Sequence, residues 1–176
     1  KKPDRGAVHS EQVGAALETA MARGEIEVLF QPVFASEDRR VIGAEALARW
    51  QHPEHVVIGG AALFEMAEQA GLIGRLSRHI AQTALASAAR WDESLRLSLN
   101  VTAADLTEPN FADALAEALA EAGFAPDRLT IEITEQVLVA NLEFSAKQLR
   151  QLAEYGIRIA LDDFGAGFCN FRYLQR

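Results

Sequence analysis

The chain has 176 residues, 49% of them apolar and 24% charged, enough for one sizeable core and too few for two comfortable domains. Its formal net charge is −8, with no lysine- or arginine-rich block, which excludes binding of DNA or RNA by bulk electrostatics. A single cysteine, Cys169, excludes an internal disulfide framework and a cysteine metal cluster.

Residues 1–10 read as a linker or the frayed end of a preceding module. No apolar run approaches the ~18 residues of a membrane span, and KKPDRGAVHS lacks the apolar stretch of a secretory signal, so a cytoplasmic location is expected. That expectation leaves room for a membrane anchor upstream. Ser10 is placed to cap a helix over 11–23, and Gly24 to stop it. IEVLFQPVF (26–34) and VIGAEALARW (41–50) read as strands, although the Ala and Leu of the second also suit a helix. Helical stretches follow over 61–70 and 74–91.

LRLSLNV (95–101) puts Leu95, Leu97, Leu99 and Val101 on one face, the period of a strand. NFADALAEALAEAG (110–123) is a helix ending at glycine, and RLTIEIT (128–134) is a strand with Leu129, Ile131 and Ile133 on one face. NLEFSAKQLRQLAEYG (141–156) is another helix stopped by glycine, and IRIALD (157–162) is the fifth strand. Alternating strands and helices build a parallel sheet from βαβ units, either an open doubly wound sheet or part of an eight-stranded (β/α) barrel. The first turn carries no GxGxxG or P-loop pattern, which weighs against the nucleotide-type doubly wound folds. A whole barrel needs ~250 residues, so on the barrel reading this chain carries it only through strand five.

Polar residues gather where the strands end: Glu45, Asn100, Glu132 with Glu135, and Asp162 with Asp163. Parallel strands bring their C-terminal ends to one face, where barrels and open α/β sheets both place their sites. Oxygen donors without cysteine suit a hard cation such as Mg²⁺ or Mn²⁺, and an adjacent Asp pair suits two ions clamping a phosphodiester. Taken alone, Asp-Asp-Phe-Gly also suits an ordinary turn, and a lone Glu or Asn at a strand end an ordinary cap. Arg49 beside Trp50 suits either an anionic ligand or a surface ion pair. His52 and His55 read as a solvated loop, His9 and His79 have no partners in sequence, and Cys169 reads as a packed thiol.

FQPVF (30–34), GAEALARWQHPE (43–54), LFEMAEQAGLI (63–73), SLNV (98–101), IEITE (131–135) and LDDFGAGF (161–168) fall in the order and spacing of the EAL family. Over about residues 12–176 the chain resembles these bacterial cyclic di-GMP phosphodiesterases. The resemblance implies a TIM-type (β/α) barrel and hydrolysis of cyclic di-GMP to linear 5'-pGpG with Mg²⁺ or Mn²⁺, with Ca²⁺ binding but inhibiting. It implies Glu45, Asn100, Glu132 and Asp162 as metal ligands and Asp163 as ligand of a second metal, with Glu45, Asp162 and Asp163 central to catalysis. Gln31, Leu47 and Arg49 match positions at the dinucleotide, and Glu135 the residue that supports the loop after the fifth strand. Implied partners are a second copy of the domain and an N-terminal sensor or GGDEF-type module.

Two positions depart from the family pattern: Ala166 stands where DDFGTG has threonine, and Gly60 where proline is common. The family's lysine and later acidic residues fall beyond Arg176. The alternative function is a non-catalytic cyclic di-GMP receptor, the role of members that have lost metal ligands. Every ligand within reach is present here, which favours the enzyme. An enolase-type Mg²⁺ barrel would keep the carboxylates but leaves QPV and EALARW unexplained.

Overall fold

The computed structural model describes residues 5–54, 57–134 and 142–162. Helix α1 (Arg5–Arg23) leads into a hairpin of β1 (Ile26–Phe34) and β2 (Val41–Trp50), then a short β3 (Ile58–Gly59) and helices α2 (Gly60–Gln69) and α3 (Ile73–Ala88). Strand β4 (Arg96–Asn100), helices α4 (Ala103–Thr107) and α5 (Phe111–Ala122), strand β5 (Leu129–Thr134), helix α6 (Leu142–Glu154) and strand β6 (Arg158–Asp162) complete the order.

The sheet runs β1-β2-β4-β5-β6, with β3 on the side of β2. The steps β2–β4, β4–β5 and β5–β6 are parallel, as the strand–helix alternation predicts. The first step is not: β1 and β2 pair antiparallel, with Gln31 opposite Glu45 and Glu27 opposite Arg49. Only residues 35–40 connect them, and a parallel pair needs a crossover of a dozen residues or more. Gly43 lets β2 and β4 lie close, since a Cβ there would sit 2.4 Å from Arg96 O.

The helix boundaries fall within a few residues of expectation, except at the start. Residues 5–10, expected as a linker or the frayed end of a preceding module, are helical and continuous with α1, and Ser10 is not an N-cap. Its Oγ donates instead to Gln69 O at 2.7 Å, tying α1 to the end of α2. Helix α4, not expected from the sequence, starts on a complete capping box between Thr102 and Asp105.

The core lies between the sheet and the helices. Leu97, Leu99, Leu129, Ile131 and Ile133 are buried on one face of β4 and β5, against Leu85, Leu115, Leu119 and Leu152. A second cluster packs Trp50 and Ile26 against Leu17, Leu63, Leu76 and Ile80. The strand period leaves the other face for Ser98, Asn100, Thr130, Glu132 and Thr134, which are exposed or half-buried. Among the described residues, no helix is long and apolar enough to cross a membrane.

Candidate functional site

The polar face of the sheet collects the predicted residues through its register. Glu45 lies level with Ser98, Asn100 with Glu132, Glu132 with Ala160, and Thr134 with Asp162. Residues in register share a face, so Glu45, Asn100, Glu132 and Asp162 project together near the C-terminal ends of four parallel strands. Gln31 joins them from β1 as the cross-strand neighbour of Glu45, and Leu47 and Arg49 continue the same face of β2.

Asn100 Nδ2 donates to Glu45 Oε1 at 2.6 Å, across two neighbouring strands. This bond leaves the amide oxygen of Asn100 for another partner and fixes one carboxylate oxygen of Glu45. Burial pushes the half-buried Glu132 carboxyl above its ordinary range; a hydrogen bond from Ser98 opposes the rise, and the charges of Glu45 and Asp162 add to it. Ser98 is thus a further member of the cluster that motif reading passed over. Its signal was present, because it alternates with the buried leucines of β4 in step with Asn100.

A half-buried carboxyl whose proton affinity is raised by two neighbouring carboxylates marks a site that favours positive charge. The donors are hard oxygens, the chemistry of Mg²⁺ or Mn²⁺ rather than of a soft metal. Among the described residues, no three His, Cys, Asp or Glu side chains converge closely enough to hold a metal ion by themselves. Asp163 and Glu135 lie outside the described residues, as do Ala166, Cys169 and His55.

Arg49, the penultimate residue of β2, lies on the same face, half-buried, with Nη1 donating to Ala48 O at 2.7 Å. Its guanidinium thus folds along its own strand beside Gly60, where a Cβ would lie 3.7 Å from Nη1. His52 is structural: its ring tilts on Trp50 at 4.7 Å between centroids, and Nδ1 accepts from Glu54 N at 3.1 Å. His79 sits on α3 away from the cluster, and burial pushes its imidazole below the usual range.

The EAL domain family matches residues 15–176. The chain is 37% identical over 159 residues to an uncharacterized signaling protein of Caulobacter vibrioides, covering 90% of this chain and 20% of that protein. It is 31% identical over 169 residues to the cyclic di-GMP phosphodiesterase NbdA of Pseudomonas aeruginosa, covering 94% of this chain and 22% of that protein. The chain therefore spans about a fifth of these relatives. Among solved structures, the PaMucR phosphodiesterase in complex with c-di-GMP superposes with a TM-score of 0.86 at 28% identity, over 93% of this chain and 68% of that one.

Proposed function

The chain belongs to the EAL domain family, and from that premise we propose that its protein is a metal-dependent phosphodiesterase that hydrolyses cyclic di-GMP to linear 5'-pGpG. The observation that carries this reading is the strand-end cluster, with Asn100 bonded to Glu45 and Glu132 raised by burial and by two neighbouring carboxylates. Glu45, Asn100, Glu132 and Asp162 would hold the cation, with Asp163 completing the acidic pair. A divalent ion there supplies Lewis-acid charge for in-line attack on a phosphodiester.

The protein's own side chains prepare that reaction in three ways. Asn100 orients the Glu45 carboxylate through its amide. Arg49 sits on the same face with a planar guanidinium suited to a phosphate, and Gln31 offers amide hydrogen bonds beside Glu45. The apolar faces of β4 and β5 hold the polar set in register from behind, so its geometry is fixed before a ligand arrives. The reading extends to a homodimer formed through this domain and to an N-terminal sensor or GGDEF-type module.

The test is turnover in the full-length protein with Mg²⁺, followed by chromatography of pGpG. Glu45→Ala should abolish hydrolysis while the fold persists by circular dichroism. Unchanged turnover at saturating Mg²⁺ would remove Glu45 from the site. Tight nucleotide binding without turnover in the unmodified protein would make the domain a receptor.

A further inference from the structure

A cavity of about 490 Å³ lies between the buried face of the sheet and the helix layer, walled by Ala48, Phe64, Ile80, Leu99 and Ile131. A second, of about 360 Å³, opens between α3 and α5. The two share a wall built from Ser77, Ala81, Asp105, Phe111 and Leu115. Protein interiors pack to crystal density, and spaces of several hundred cubic ångströms with apolar walls and a few polar groups are the form of small-molecule pockets.

The shared wall carries the polar groups. Ser77 Oγ is buried with no hydrogen-bond partner among the described residues. Asp105 is only 2% exposed, and Thr102 donates to it from N at 2.9 Å and from Oγ1 at 2.7 Å. Both bonds fall on Oδ2, which leaves Oδ1 as the oxygen for a further donor. Ser77 lies against the same carboxyl and holds its proton affinity down, so the two side chains form one polar end of the cavity.

We propose that this cavity binds a small primary amine with an apolar body, its ammonium seated between Asp105 and Ser77. An ammonium has three donors and no acceptor, which matches a carboxylate oxygen and a hydroxyl oxygen together. It also supplies the opposite charge that a buried carboxylate needs, whereas an anionic head would meet that carboxylate's own charge. The apolar walls cover the body of the ligand. The polar end lies on the helix side of the sheet, opposite the face that carries Glu45 and Glu132. Arg49 and Asn100 also line the cavity, so the two sites must be separated by experiment.

Phenethylamine and 2-phenylethanol share a body and differ in the head group, and both can be titrated by calorimetry into the unmodified full-length protein. The amine should bind about tenfold tighter or better, the margin of a charge-assisted hydrogen bond over a neutral one. Asp105→Asn should bring the two affinities together, and Ala81→Phe, which fills the shared wall, should remove both. Glu132→Gln should leave amine binding unchanged. Should Asp105→Asn fail to fold, Ser77→Ala is the substitute, expected to weaken the amine about fivefold through loss of one neutral hydrogen bond. Equal affinity for amine and alcohol, or no saturable binding of either, overturns the proposal, the latter meaning that water alone satisfies Ser77. Amine binding that survives Ala81→Phe, or that is lost in Glu132→Gln, assigns it to the acidic strand-end cluster and overturns the proposal too.

Discussion

Asp105 caps α4 while almost fully buried, and burial pushes its carboxyl above the ordinary range, with Glu108 adding to the rise and the contacts to Thr102 and Ser77 opposing it. An acid raised on folding holds its proton more tightly in the folded state, so its contribution is fully present below the unfolded pKa. It is lost as pH rises through the folded pKa. Asp105→Asn keeps an oxygen for Thr102 N and removes the charge. The stability of this variant relative to the unmodified protein should therefore improve between about pH 4 and about pH 7, as read from urea midpoints. A constant or declining difference would show that the buried charge does not oppose folding. At Arg49 the question is one of magnitude. A charge-assisted contact to a phosphate contributes ~1.5–3 kcal/mol, about 10- to 150-fold in affinity. Here one N–H must first leave Ala48 O, which places the effect of Arg49→Ala near the lower end, about tenfold weaker cyclic di-GMP binding. Mg²⁺ affinity should not change, and calorimetry showing equal nucleotide affinity would remove Arg49 from the site.

Between elements, the most telling polar contact is Gln148 of α6, 1% exposed. Its Oε1 accepts from Ala112 N at 3.1 Å, while its Nε2 donates to Glu108 O at 3.2 Å and to Pro109 O at 3.0 Å. Asn110 makes no side-chain cap for α5, so a distant helix supplies the acceptor that the first turn of α5 lacks. Gln148→Leu keeps the apolar stem but leaves that amide unpaired, and should cost roughly 1–3 kcal/mol in thermal or urea unfolding. A loss below about 0.5 kcal/mol, the size of an ordinary surface change, would mean that water reaches the helix end. Such a contact joins residues some forty positions apart and leaves no local pattern. The strands were legible because alternation survives in Leu97, Leu99, Ile131 and Ile133, and the same alternation delivered Asn100 and Glu132 to the polar face. The direction of β1 was not legible from strand propensity, since only the shortness of the connection decides it. The early start of α1 also escaped, because Ser10 fits a cap by residue type and its bond to Gln69 is tertiary. Helix α4 did carry a local signal in the Thr102–Asp105 spacing, hidden by its brevity.

At the scale of the molecule, one face of the sheet carries two apolar clusters while the other brings Glu45 and Asp162 within electrostatic reach of Glu132. The fold therefore works against carboxylate repulsion on the face where function is proposed, and a cation that binds only the folded chain should relieve it. Mass action gives ~2.7 kcal/mol of stabilisation at a hundredfold excess over Kd. For a chain of this length that amounts to about 5–10 °C in Tm. Mg²⁺, Mn²⁺ and Ca²⁺ all favour oxygen donors, so each should raise Tm at fixed ionic strength. Ca²⁺ has longer bonds and looser geometry and should position water and phosphate poorly, so only Mg²⁺ and Mn²⁺ should support hydrolysis. Asp162→Asn removes one of the three charges while keeping an oxygen in place, and should shrink the metal-induced shift and largely remove activity. The discriminating measurement is the pair of melting curves, with and without metal, for the unmodified protein and Asp162→Asn. Equal shifts in both would place the bound ion elsewhere and leave the strand-end carboxylates as an electrostatic cost without a ligand.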